Sequence, residues 1–129
     1  MVNRLLLALV YVRMPEQVLW LVKHASPWLV MLVGSGLGPV LEEVFFRSFI
    51  FAGLRQRYSL PTAAGISATL FALIHLQWTL FIPLVVLGFL LAALYERSNS
   101  LWPPIVTHVM LNACALGFAY VRLRAGLPR

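Results

Sequence analysis

The sequence predicts an all-α, multipass transmembrane helical bundle: about four core transmembrane helices plus an N-terminal helical segment. Three observations point to that class. Of 129 residues, 61% are hydrophobic and only 11% charged, whereas a soluble domain averages about one quarter charged. Mean hydropathy is +0.88, so in water the chain could not cover its surface with polar groups. The apolar runs also end on Trp, Tyr or Arg, residues that settle at headgroup depth. One integral membrane domain follows.

The N-terminal run MVNRLLLALVYVR has no small-residue cleavage site before Arg13 and Pro15. It reads as an interfacial or partial helix, or the remnant of a longer N-terminal region, in preference to a signal peptide. A first helix is expected over 17–33, weakened as a span by Lys23, His24 and Pro27. Gly34, Gly36 and Gly38 should break it, and Pro39 suits the first position of a new helix. That second helix runs to about Leu54, with Arg55, Arg57 and Tyr58 at the interface. The third starts near Pro61 and ends at Gln77 and Trp78, and the fourth covers 79–95, closed by Tyr95, Glu96 and Arg97. The fifth starts at Trp102, Pro103 and Pro104 and ends near Tyr120, with Arg122, Arg124 and Arg129 beyond. Three regions result: N-terminal interfacial or partial transmembrane helices over 1–37, a membrane core over 38–121, and a basic tail over 122–129.

The net charge of +6 is spread over loops and tail, which suits topology signals and contact with membrane lipid. Arginines fall on both faces, so the positive-inside rule does not choose an orientation. No basic cluster comes with a stacking surface, so nucleic acid is not an expected partner. The single Cys114 excludes an internal disulfide.

The acids are the most informative residues. There are four, all Glu, and two of them, Glu42 and Glu43, stand side by side in the run GPVLEEVFFRSFIFAGL. An ionisable group at membrane depth is costly and marks a functional site by default. Glu43 and Arg47 are four apart, in the favoured order for an ion pair. Glu42 is rotated by about 100° and is free to face a cavity. At ~1.5 Å per residue, Glu42 lies roughly 20 Å from the Arg55 face and His75 about 21 Å. On the fifth helix His108 lies about 10 Å and Asn112 about 17 Å from the same face. The expectation is that Glu42, His75 and Asn112 share a layer with His108 one turn away. Faces agree with depth. Ala64, Ala68, Phe71, Ala72 and His75 share one side of the third helix, and His108, Asn112, Ala115 and Ala119 share one side of the fifth. Gly88 and Ala92 give the fourth a close-contact edge. Cys114 lies off the His108 face.

This set suits amide hydrolysis without a Ser or Cys nucleophile. Glu42, assisted by His75, would activate a water, and His108 and Asn112 would donate hydrogen bonds to the oxyanion. Glu43 and Arg47 would support the site and Phe71 would shape its wall. Glu42, His75 and His108 could alternatively ligate zinc with a water completing the shell. Asn112 is a poor zinc ligand, however, and no His-Glu-x-x-His helix is present. The preferred reading requires no cofactor.

PVLEEVFFRS, SATLFALIHL and LWPPIVTHVMLNA resemble, in order and approximate spacing, the three motifs of the CPBP intramembrane protease family. That family includes the type II CAAX prenyl endopeptidases and the bacterial Abi-type bacteriocin-processing or immunity proteins. Its motifs fall here on Glu42, Glu43 and Arg47, on Phe71 and His75, and on His108 and Asn112. The resemblance covers about 38–119. It implies an endopeptidase of a bacterial or archaeal plasma membrane, acting on membrane-associated peptides or proteins, with a site open to the cytoplasm. Ser48 stands where the family usually has Gly, a small-for-small change. Family members are usually longer, with helices before the core. Two other readings stand beside the enzyme: a catalytically silent immunity or partner-binding module, and, ranked last, a proton relay through Glu42. Substrate and oligomerisation are left open by the sequence.

Overall fold

The computed structural model describes residues 16–124. The expectations for MVNRLLLALVYVR and for 125–129 of the 122–129 tail therefore lie outside the described residues, while 122–124 continue the last helix. Five helices follow in order: α1 Glu16–His24, α2 Pro27–Arg55, α3 Leu60–Ile74, α4 Phe81–Ser98 and α5 Trp102–Arg124. By length and apolar content α2, Trp78–Ser98 and Trp102–Val121 can each cross a membrane, whereas α3 is apolar but shorter. With three such helices the chain is an integral membrane protein.

The expected first helix is divided. Ser26 turns out of the helical region (φ −58°, ψ 129°) and Pro27 opens α2, as a proline does when its missing N–H is not needed. The expected break over Gly34, Gly36, Gly38 and Pro39 is not found. Helix α2 runs through all four residues, so position 38 is not a helix start. It does so by widening its turns to i→i+5 hydrogen bonds over Leu32–Leu37 and again over Val44–Phe51. The Gly38 N–H bonds to the Val33 carbonyl, and a Cβ at Gly38 would sit 2.9 Å from that oxygen. Glycine is what lets the wide turn close. Such π-type turns are rare and gather at functional sites; here they flank Glu42 and Glu43 on both sides.

Helices α3 and α4 pack closely along their length. A Cβ on Gly88 would lie 2.9 Å from the Ala68 Cα and 3.3 Å from the Phe71 ring, so small residues set this approach, as expected inside a membrane. Ala64, Ala68, Phe71, Ala72 and Ala92 are all buried. Below them Phe51, Ala63, Ala64 and Ala92 form a buried cluster ringed by Leu54, Leu60 and Tyr95. Helix α5 lies against the first wide-turn stretch of α2 and against α4. On its expected inner face His108 and Ala119 are buried and Asn112 is half-buried, but Ala115 is exposed. No described helix covers α5 there.

Helix α3 ends at Ile74, three residues earlier than expected. His75 caps it and Leu76 turns away with φ 52°. A short 3₁₀ turn, Trp78–Leu80, leads into α4. At the opposite face Asn99 closes α4 in the left-handed conformation (φ 49°), its N–H bonded to the Tyr95 carbonyl. There Arg55 donates from Nε (3.0 Å) and from a terminal nitrogen (2.6 Å) to Glu96, joining α2 to α4. Arg55 is thus an interhelical partner as well as an interface residue.

Candidate active site

Glu43 is completely buried and lies between two basic groups. Its Oε2 is 2.9 Å from the Arg47 Nε, one turn on. The pair meets as charges, off the alignment of a hydrogen bond. Its Oε1 is 2.8 Å from the His108 Nδ1. Arg47 also donates to the Gly88 carbonyl at 3.3 Å, and its guanidinium carbon stands 5.1 Å from the Phe71 ring centroid. The close approach of α4 at Gly88 therefore also supplies an acceptor for Arg47.

Glu42, on the neighbouring face of α2, is the group left unbound. Its Oε2 is 3.7 Å from the His75 Nε2 and 3.8 Å from the His108 Nε2. That oxygen is buried and makes no hydrogen bond. His75 is oriented from below: its Nδ1 is 2.7 Å from the Phe71 carbonyl. That carbonyl lies in the last turn of α3, where backbone acceptors lack helical partners. A carbonyl only accepts, so Nδ1 carries a hydrogen, and Nε2 faces Glu42. Phe71 packs both imidazoles, with centroids 4.6 Å from His75 and 5.7 Å from His108.

The structure thus brings Glu42, Glu43, Arg47, Phe71, His75 and His108 together. Asn112 is placed otherwise than expected. Its Nδ2 donates to the Gly34 carbonyl at 3.0 Å, so it is level with Gly34, while His108 is level with the glutamates. An i→i+5 ladder wraps more residues into each turn, so Val44–Phe51 advances less than the helical ruler assumes. The link from Glu43 to His108, 65 residues apart, was not anticipated, nor was the Arg47 contact with Gly88. Only the small-residue edge at Gly88 hinted at the second. Among the described residues no three His, Cys, Asp or Glu side chains are grouped to hold a metal ion. Glu42, His75 and His108 are thus not assembled as a zinc site among the described residues.

The fold is thus a helical membrane domain with a half-buried carboxylate, Glu42, whose Oε2 faces two imidazoles. The chain belongs to the family described as "Type II CAAX prenyl endopeptidase Rce1-like", whose model matches residues 24–114. It is 36% identical over 84 residues to "Putative membrane peptidase YdiL" of Bacillus subtilis, covering 65% of this chain and 34% of that protein. It is 33% identical over 103 residues to "Uncharacterized protein YpbD" of the same organism, covering 78% and 51%. It is also 31% identical over 75 residues to "UPF0177 protein YxdF" of Lactococcus lactis, covering 57% and 41%. The matches thus span about a third to a half of the length of these relatives. No solved structure matches the chain at comparable significance.

Proposed function

We propose that this chain acts as an intramembrane endopeptidase, hydrolysing a peptide bond of a membrane-associated peptide or protein through a core over 38–121. One observation carries the reading: the buried, unbound Glu42 Oε2 with an imidazole Nε2 on either side. Glu42 takes a proton from water as its oxygen bonds to the substrate carbonyl carbon. The resulting oxyanion accepts hydrogen bonds from the His108 Nε2–H and from an Asn112 N–H. With Nδ1–H held on Glu43, donation from Nε2 requires the doubly protonated ring. Asn112 has two amide hydrogens; the Gly34 carbonyl takes one and fixes the amide plane, leaving the other for the oxyanion. As the C–N bond breaks, the proton passes from Glu42, with the His75 Nε2 as relay, to the leaving amine. Glu43, Arg47 and Phe71 hold the two imidazoles. No cofactor is required, and membrane lipid surrounds the site.

The family's name and the relative named as a membrane peptidase support a peptidase. Prenylated C-terminal tails of the CAAX type, peptide leaders and other membrane-associated peptides are the substrates to test. Wild type and Glu42→Ala, both folded and reconstituted in lipid, are offered a library of such peptides. Cleavage by wild type and a loss of roughly 10²–10⁴-fold in the variant are expected. Equal cleavage by both would remove Glu42 as the base, and none by either would favour the silent partner-binding module. Activity should also survive a strong chelator once metal content has been measured and found depleted.

A further inference from the structure

Pro39 is buried in the middle of a membrane-spanning helix, where a proline normally costs a backbone hydrogen bond. Its place directly after the wide-turn stretch Leu32–Leu37 gives that loss a use. The wide turns over Leu32–Leu37 match a carbonyl to the N–H five residues on, as the Gly38 N–H on the Val33 carbonyl shows. The next pair in that register is the Gly34 carbonyl with residue 39. Residue 39 is proline and has no N–H. The Gly34 carbonyl is therefore released by its own helix, and it is this carbonyl that the Asn112 Nδ2 reaches at 3.0 Å, 78 residues away. The alternative donor is already spent, because the Gly38 N–H goes to Val33. In lipid an unmet carbonyl has no water to turn to, so the interhelical bond replaces one that the sequence itself removed.

We infer that Pro39 is a positioning residue for the reaction. By withholding an N–H it presents the Gly34 carbonyl to Asn112, which pins α5 to α2 one helical turn from His108 and fixes the plane of the Asn112 amide. The same bond holds the wide-turn register immediately before Glu42 and Glu43. The catalytic consequence rests on the proposed role of Asn112, but the bond itself can be tested without it.

Gly34-Ser35 is the only Gly-Ser pair in the chain. Labelling glycine carbonyl carbon with ¹³C and serine nitrogen with ¹⁵N therefore isolates the Gly34 carbonyl by NMR in detergent micelles. Asn112→Ala is expected to move that carbonyl signal in the direction of a lost hydrogen bond. In a Pro39→Ala background the restored N–H takes the carbonyl, and Asn112→Ala should leave the signal nearly still. Thermal unfolding of the same four proteins gives a second cycle. The loss caused by Asn112→Ala should be clearly smaller when residue 39 is alanine. Equal shifts in both backgrounds, or strictly additive unfolding losses, would overturn the inference. Should Asn112→Ala not fold, Asn112→Ser, which shortens the donor, carries the same comparison. In the cleavage assay Pro39→Ala should lower kcat roughly 10–100-fold with KM little changed, as for a displaced reacting group. An unchanged kcat would limit Pro39 to a structural part. If no protein in the set cleaves, the proposed function fails while the NMR and unfolding cycles still decide the Pro39 question.

Discussion

Two carboxylate–arginine pairs tie α2 into this molecule, and they differ in nearly everything but chemistry. Glu43 and Arg47 are a turn apart on one helix, with side chains 0% and 1% exposed. Arg55 and Glu96 join two helices at their ends, with side chains about a third exposed (32% and 31%). The outer pair has solvent and headgroups as alternatives and can exchange partners freely. The inner pair has none, so each group depends on its neighbours: Glu43 on Arg47 and His108, and Arg47 on the Gly88 carbonyl and the Phe71 ring. Charge pairing at depth makes a fixed framework; at the surface it makes a fastening.

The contrast can be broken at its strong end first. Arg47→Met leaves Glu43 buried without its cation and should cost about 3–5 kcal/mol of stability, the usual result of removing one partner of a buried pair. Adding Glu43→Gln should recover much of that stability in a detergent unfolding assay. It should not recover cleavage, because His108 would have lost its carboxylate. Recovery of both would show that the buried pair is only a structural tie.

A smaller effect is expected at the contact between the two regions. Gly88→Ala places a methyl 2.9 Å from the Ala68 backbone, and overpacking of this kind costs about 1–3 kcal/mol. The α3–α4 separation should widen and cleavage should fall, since the carbonyl that holds Arg47 moves with α4. A variant as stable and as active as wild type would mean that Arg47 does not need that carbonyl.

The smallest effect belongs to the outer pair. Arg55→Gln should change unfolding only slightly, by an amount that shrinks further as salt is raised. A loss as large as that of Arg47→Met would erase the distinction drawn between the pairs.

Much of this was legible in the residues, and what was hidden has a common cause. Pro61, Trp102 and the Tyr95–Arg97 boundary mark helix ends because prolines and interfacial aromatics act locally. The Glu43–Arg47 pair was legible for the same reason. The continuity of α2 through Pro39 was not, because the donor that makes it tolerable comes from Asn112 on another helix. The layer assignment of Asn112 failed with it, since a uniform rise per residue cannot register two stretches of wider turn. The bond from Glu43 to His108 joins motifs far apart in the chain and leaves no local trace. The end of α3 at Ile74 was misplaced because His75 and Leu76 are apolar-compatible residues whose turn appears only in backbone angles.

Helix α3 has 15 residues, about 22 Å of rise, beside a hydrocarbon layer about 30 Å thick. Lipid around a short segment thins, or lets the aqueous boundary dip, to make up the shortfall. His75 stands where α3 stops, with its side chain 24% exposed while that of His108 is 2% exposed. A shorter helix at this edge lowers the lipid boundary toward His75 and toward the Glu42 carboxylate, whose side chain is itself 29% exposed.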